Sequence, residues 1–449
     1  MIIYALLVTL IVLLFLIFHI FKKDVMSPPF IVCAGFIFST ICAIYNIDNW
    51  KINLHWNTYI VISGGVLVYT LTSWVIYLFF YYSDKKNNPE TNSNVELFEK
   101  NFEEIKIKRI YIYIFIIFTL IISVLYIKQI INISSKYGLH DTWTNIMKTY
   151  REVSSYGILN EEDVMPKTIS WGYLFITSSG FVWIYVIINN FLAIKKINKL
   201  LSCEFILCLC MSLLSAGRVQ LIQYIIAMLS MYYILWRRKN GWNSSIGFKF
   251  IMKCLIGVCI ILSIFSGLRT VVGRTSTQDP ISYITSYIGG SIDLLDIFLQ
   301  EPPVKSDIWG KETFYEFNRF VGRKFNKPEL IYIGHKEFRD SNGISIGNVY
   351  TAFRNYIYDF GYTGLIVLTC ISSSIFSWMY NKLKRKKYKE GIDILLLSYS
   401  YLVYSVFLMF YADYFFEMSI SINTLKVFIF FQITQYIFAK KILYNQINI

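Results

Sequence analysis

Apolar residues run along this chain in long blocks separated by short polar ones. The blocks lie at about 2–21, 28–45, 59–82, 109–131, 169–194, 201–216, 218–236, 249–268, 362–380, 393–411 and 420–439. Most come close to the roughly 20 residues that an α-helix needs to cross a hydrocarbon core. Backbone N–H and C=O groups in lipid must be paired within the segment, so each block is expected to be a helix. The pattern predicts an all-α polytopic integral membrane protein with about eleven transmembrane helices. The first block lacks a basic leading region and an A-x-A-like cleavage site, so it reads as a membrane helix and not as a signal peptide.

The charges then orient the blocks. Basic clusters fall at Lys22-Lys23, Lys85 to Arg109, Lys195 to Lys199, Arg237-Arg238-Lys239, Lys382 to Lys389 and Lys440-Lys441, and they occupy every second loop. Cytoplasmic loops are enriched in Lys and Arg. The expected topology puts the N-terminus outside and the C-terminus in the cytoplasm. Residues 1–268 hold helices 1–8, residues 269–347 form one large external loop, and residues 348–449 hold helices 9–11. The net charge of +14 is absorbed by the loop rule and does not call for nucleic acid.

The block from Leu201 to Trp236 contains one arginine near its middle. A single helix of that length would be about 54 Å long, against a core of about 30 Å. Both flanks are basic, so the block is expected to be a hairpin of two short spans with its tip at Ser215-Ala216-Gly217-Arg218. Arg218 then sits at the outer face and at a helix N-terminus. The helix dipole is positive there and the first N–H groups are free, so an arginine at that point suits an anion. The alternative is an arginine reaching out to lipid headgroups.

The external loop is long enough to be functional. It opens with "GLRTVVGRTSTQDP", where Arg269 and Arg274 leave the membrane together. In "PISYITSYIGGSIDLLDIFLQEPP" isoleucines and leucines recur every three or four residues. That spacing predicts an amphipathic helix, bent at Gly289-Gly290, on the membrane or over a cavity. Asp293 and Asp296 share its polar face, either as a solvated surface or aimed at a substrate hydroxyl. The stretch "FYEFNRFVGRKFNKPELIYIGHKEFRD" mixes aromatics with Arg319, Arg323, Lys324, Lys327, His335, Lys336 and Arg339. Aromatic faces suit sugar rings and membrane interfaces, and the bases suit phosphate. The loop closes with "GNVYTAFRNYIYDFGYTG", where Thr351, Arg354 and Tyr358 share helical spacing.

Several function classes drop out. The "DFG" at Asp359 is not a kinase motif, because the Gly-rich loop, the V-A-I-K lysine and the H-R-D loop are missing, and no G-x-x-x-x-G-K-[ST] is present. The eight cysteines lie in apolar blocks, without zinc spacing or a disulfide framework, and read as small buried hydrophobes. No outer-side cluster has metal-ligand spacing, and no cofactor is expected.

Three features together resemble the bacterial O-antigen and capsular repeat-unit polymerases, the Wzy class, and more distantly the O-antigen ligases. These are Gly217-Arg218 at a hairpin tip, Arg269 and Arg274 opening a large outer loop, and "NVYTAFRNYIYDFGYTG" closing it. The resemblance covers roughly residues 200–410. It implies a metal-independent C-type glycosyltransferase that moves a growing glycan from undecaprenyl diphosphate to an incoming lipid-linked repeat unit. A chain-length regulator is a further expected partner. Arg218, Arg269, Arg274, Arg354 and Asp359 stand at family-like positions. The residues themselves suit such chemistry. Arginines would hold the diphosphate as charge grows on it, with Arg323 a further candidate. The acceptor hydroxyl would benefit from a general base, for which His335, Asp293, Asp296 and Asp359 are candidates. His19 lies within a block, and His55 and His140 lie in other outer loops. A flippase for lipid-linked oligosaccharide is the competing reading, although it would be expected to show an internal repeat.

Overall fold

The computed structural model describes residues 1–87, 102–138, 141–155, 164–215, 217–242, 279–386 and 391–446, and the single positions 257, 263 and 267. Seven described helices are long and apolar enough to cross a membrane. They are α1 (Ile2–Ile20), α2 (Pro28–Tyr45), α4 (Trp56–Asn87), α5 (Arg109–Tyr137), α7 (Lys167–Ile194), α9 (Val219–Asn240) and α12 (Ala352–Arg385). The remaining described helices are α3 (Ile47–Trp50), α6 (Trp143–Ser155), α8 (Lys199–Leu213), α10 (Pro280–Gln300), α11 (Tyr315–Lys324), α13 (Ile394–Leu402), α14 (Tyr404–Phe407) and α15 (Ile422–Gln446). Among the described residues the only sheet is a hairpin of β1 (Arg339–Ser341) and β2 (Ile344–Gly347). This is an all-α membrane protein.

Several predicted boundaries hold. The two helices of the predicted hairpin are present: α8 ends at Leu213 and α9 begins at Val219. The ninth block starts where α12 kinks: Gly361 has φ 66 and ψ −163, which splits off a short N-terminal half-helix. The predicted span 249–268 lies outside the described residues, apart from Gly257, Ser263 and Gly267.

Two predictions need correction. The block 393–411 is not one helix: α13 and α14 are separated at Val403, and turns follow from Leu408 to Tyr411. Beyond α14 the Met409 carbonyl accepts the Ala352 N–H at 3.0 Å and so serves the start of α12 instead of a continuing helix. Nor is α10 bent at Gly289-Gly290; it runs unbroken. A Cβ on Gly289 would come within 2.5 Å of the Ala43 backbone nitrogen, so the glycine permits close packing on α2. The Ser39 hydroxyl bonds the Ile288 carbonyl at that crossing, at 2.7 Å.

The chain divides into two compact units. The first comprises 1–95, 278–385 and 402–422; the second comprises 96–277, 386–401 and 423–449. In the first unit α4 and α12 meet along small residues, where Ser73 bonds Ser373 at 2.8 Å and Ser377 at 2.7 Å. Small side chains let membrane helices approach and pair their polar groups. One end of this unit is basic: Lys384 and Tyr380 bond the buried Asp24, and Arg385 bonds Asp84. The opposite end gathers residues 46–58, the described part of the large loop and residues 408–421.

In the second unit α7 carries the core, with Phe181, Trp183 and Tyr185 buried. The loops predicted to share a side do meet there. Arg238 and Lys386 both pair with Asp393, at 2.9 and 2.7 Å. Asn189 and Asn190 bond the backbone of Glu103 and Ile105. Cys33, Cys42 and Cys208 are buried as expected, but Cys203 and Cys210 are exposed on α8, on the apolar surface that such a helix turns away from the protein.

Candidate functional site

The site is built on the first half-helix of α12, residues 352–360, in the first unit. Gly361 aims this half-helix. Its φ/ψ lies in a region open essentially to glycine alone, so the half-helix can leave the line of the span below it. Arg354 on this half-helix is fully buried. Its Nη2 donates to Glu312 Oε1 at 2.8 Å and to Glu337 Oε2 at 2.6 Å. The guanidinium lies 3.8 Å from the Tyr350 ring centroid and 5.0 Å from that of Phe298. Nε and Nη1 have no hydrogen-bond partner, and neither have Glu312 Oε2, Asn355 Oδ1 and Thr351 Oγ1.

The neighbours of Arg354 extend the network. Asn355 Nδ2 donates to Glu417 Oε2 at 2.8 Å, and Lys336 Nζ reaches the same oxygen at 2.9 Å. Asp359 accepts the backbone N–H groups of Thr313 at 2.7 Å and Glu312 at 3.1 Å. The carboxylate proposed from sequence as a base therefore clamps the strand of loop that presents Glu312. Arg339 bonds Glu337 and the Ile297 and Glu301 carbonyls, tying β1 to the end of α10. Asp413 accepts from the Phe415 and Phe416 N–H groups, while its Oδ2 has no partner. Trp309 stacks on Phe314 at 4.9 Å beside Phe360, closing the site with aromatic rings.

One guanidinium serves two carboxylates here, and they respond differently. Glu312 is the more deeply buried. Burial pushes its carboxyl above the usual range, against the pull of the Arg354 charge. Burial works the same way on the more exposed Glu337, but there Arg354 prevails and holds it below the usual range. Asp413 is pushed up to about 8, by burial first and then by the charge of Glu417.

A second constellation lies further along α10. His55 stands just before α4 and its side chain is half exposed, whereas Asp296 is buried. The Asp296 Oδ2 pairs with His55 Nδ1 at 2.8 Å, and its Oδ1 accepts the His55 backbone N–H at 2.9 Å and the Thr58 hydroxyl at 2.5 Å. One turn earlier Asp293 is buried, with Oδ2 unpartnered. Its carboxyl is pushed up to about 6 by burial; the Ser341 hydroxyl works against this and the Asp296 charge adds to it. The solvated-face reading of Asp293 and Asp296 is therefore wrong. Close packing at Gly289 draws this face of α10 into the protein.

The other sequence candidates are placed as follows. His335 is exposed, next to Lys336 in the loop. Arg323 is exposed in the last turn of α11 and is not part of the Arg354 network. Arg218 belongs to the second unit, buried at the N-terminus of α9. Arg269 and Arg274 lie outside the described residues. Sequence reasoning missed Glu312, Glu337, Asp413, Glu417 and the pairing of His55. It also passed over Glu204, a buried carboxylate within α8 that accepts from Thr119 at 2.8 Å. Among the described residues no three His, Cys, Asp or Glu side chains gather as a metal-holding group.

Chemically, the Arg354 network holds three cations (Arg354, Lys336 and Arg339) against five carboxyl groups (Glu312, Glu337, Glu417, Asp359 and Asp413). It can store and move protons and can bond hydroxyl groups. To hold an anion, Arg354 would have to use Nε and Nη1. No protein-family model, curated protein or solved structure matches the chain.

Proposed function

We propose that this chain is a membrane glycosyltransferase of the repeat-unit polymerase kind, acting at the outer face of a bacterial cytoplasmic membrane. It would transfer a growing glycan from undecaprenyl diphosphate to the non-reducing sugar of an incoming lipid-linked repeat unit. One observation carries the reading: Arg354, wholly buried between two aromatic rings and two carboxylates, in the segment that closes the large loop. Burying several charges at the end of a membrane-helix bundle is costly, and such groups usually mark function. Aromatic rings beside buried hydroxyl-bonding groups suit a sugar. The end concerned lies opposite the basic end of the same unit, as the positive-inside rule requires of an outer face. Arg218, at a helix N-terminus, would hold the donor diphosphate. The remaining partners in this scheme are the lipid bilayer and a chain-length regulator.

A transporter of lipid-linked oligosaccharide has one observation in its favour. Asp413 is a buried carboxyl whose Oδ2 has no hydrogen-bond partner and which burial pushes up to about 8, such as a proton-coupled carrier would use. Deleting the gene separates the two readings. A polymerase mutant should accumulate single lipid-linked repeat units open to an impermeant glycosidase from outside. A transporter mutant should accumulate them on the cytoplasmic face, shielded from it. A ligase mutant would instead accumulate finished polymer on its lipid carrier.

A further inference from the structure

We infer that His55, oriented by Asp296, is the general base that accepts the proton of the acceptor hydroxyl, an inference that rests on the glycosyltransferase reading above. The sequence offered no reason to pair these residues, which lie on α10 and on the short segment before α4. The structure joins them by two contacts from one carboxylate, to the His55 backbone N–H at 2.9 Å and to Nδ1 at 2.8 Å. The first contact fixes the backbone and the second fixes the ring. A buried carboxylate on Nδ1 makes that nitrogen the N–H donor, so the lone pair is left on Nε2. With Asp296 buried and the imidazole half exposed, the ring is held from behind and open in front. This end of the unit also carries Arg354, and α10 links the two constellations: Asp296 faces His55 and Phe298 stacks on Arg354.

The step balances without a co-reactant. The acceptor oxygen attacks the anomeric carbon of the lipid-linked sugar and forms a new C–O bond. The bond from that carbon to the diphosphate oxygen breaks, and its electron pair leaves with the lipid diphosphate. The acceptor proton passes to His55 Nε2 and from there to solvent on the open side of the ring. Asp296 does not take the proton. It is a positioning residue that stabilises the imidazolium.

The test uses purified full-length protein in lipid nanodiscs. The probe is the lipid-diphosphate-linked oligosaccharide extracted from the membranes of gene-deleted cells. His55→Gln should lower the transfer rate about 100-fold or more, the usual contribution of a positioned base. His55→Ala should regain activity with added imidazole. Asp296→Asn keeps the acceptor oxygen for the His55 N–H and the Thr58 hydroxyl, but its amide would donate to Nδ1 and drive the ring proton to Nε2. It should therefore lose a comparable factor with its unfolding temperature preserved. The wild-type rate should show an acid limb that His55→Gln abolishes. Asp296 is the carboxylate against the ring, and Asp293 is the next along α10. Asp293→Asn is measured alongside, and the limb should survive in it. Transfer by His55→Gln at the wild-type rate with the limb intact, or loss of the limb only in Asp293→Asn or His335→Gln, overturns the assignment and leaves the glycosyltransferase reading standing. Absence of transfer by the wild-type protein overturns both.

Discussion

The Arg354 guanidinium lies 3.8 Å from the centroid of the Tyr350 ring while its Nη2 reaches two carboxylates. The plane of the cation thus faces a ring and its edge faces Glu312 and Glu337. A planar guanidinium can do both at once and an ammonium cannot. Arg354→Ala should destabilise the protein by about 3–5 kcal/mol, because it leaves buried carboxyls without their cation. Arg354→Lys should recover only part of that loss. Adding Glu312→Gln to Arg354→Ala should restore stability relative to the single mutant, with a coupling on the order of 0.5–3 kcal/mol. Thermal unfolding in detergent measures the wild type, Arg354→Ala, Arg354→Lys, Glu312→Gln and the double mutant. Additive losses would mean that the pair does not act as a unit.

Seven of the eleven predicted spans reappear as membrane-length helices among the described residues, because hydrophobic length is set by the bilayer and each block carries that information locally. The start of the ninth span at Tyr362 was legible too, although the kink at Gly361 that marks it was not. The site was legible only in part. Arg354 and Asp359 stand out in one short motif, but their partners Glu312 and Glu337 are ordinary loop glutamates. Only folding brings residues 312, 337 and 354 together, and no periodicity records a contact of that range. The burial of Asp293 and Asp296 was hidden for a related reason. Helical spacing shows which residues share a face, but the depth of that face depends on Gly289 meeting Ala43 on another helix. The failure at 393–411 shows the converse: an apolar run does not force one continuous helix, and beyond Phe407 the Met409 carbonyl serves the start of α12 instead.

Asp413 should make stability fall as pH rises. Unfolded, its carboxyl loses its proton near the ordinary value of about 3.9; folded, it keeps it up to about 8. Between those limits the native state binds more protons than the unfolded state. The unfolding free energy therefore decreases with pH, by up to about 1.4 kcal/mol per unit from this group. Asp413→Asn keeps an acceptor for the Phe415 and Phe416 N–H groups and removes the ionisation. Its unfolding temperature should exceed that of the wild type increasingly from pH 5 to pH 8. A gap that is constant with pH would show that Asp413 does not titrate in this window.

Arg218 distinguishes a phosphate grip from simple charge. It is buried at the N-terminus of α9, where an added cation opposes the helix dipole unless an anion is present. If it holds two oxygens of the donor diphosphate, Arg218→Lys should lose most of the polymer ladder in complemented cells at matched protein level. Arg218→Ala should be worse, by an order of 2–4 kcal/mol in transition-state stabilisation. A normal ladder from the lysine variant would show that a point charge suffices.

The last prediction concerns the residue that aims the site. Gly361 has φ 66 and ψ −163, and nothing lies within 4 Å of where its Cβ would be. A substitution there meets no steric wall, so its whole cost is backbone strain. Strain in this φ/ψ region is of order 1–3 kcal/mol for a residue with a side chain. The chain can relieve it by straightening α12 into a continuous helix, which alanine favours over glycine by about 1 kcal/mol. Straightening would rotate the half-helix that carries Arg354, Asn355 and Asp359 away from Glu312, Thr313 and Glu417. Gly361→Ala should therefore insert normally and keep its helix content, yet lose most activity. A cysteine pair replacing Thr313 and Asn355, which are in hydrogen-bond contact, reports the movement. It should cross-link with a short bifunctional reagent when Gly361 is present and fail to do so when alanine replaces it. Equal cross-linking in both backgrounds would mean that the half-helix is held by its side-chain network alone and that the kink is incidental.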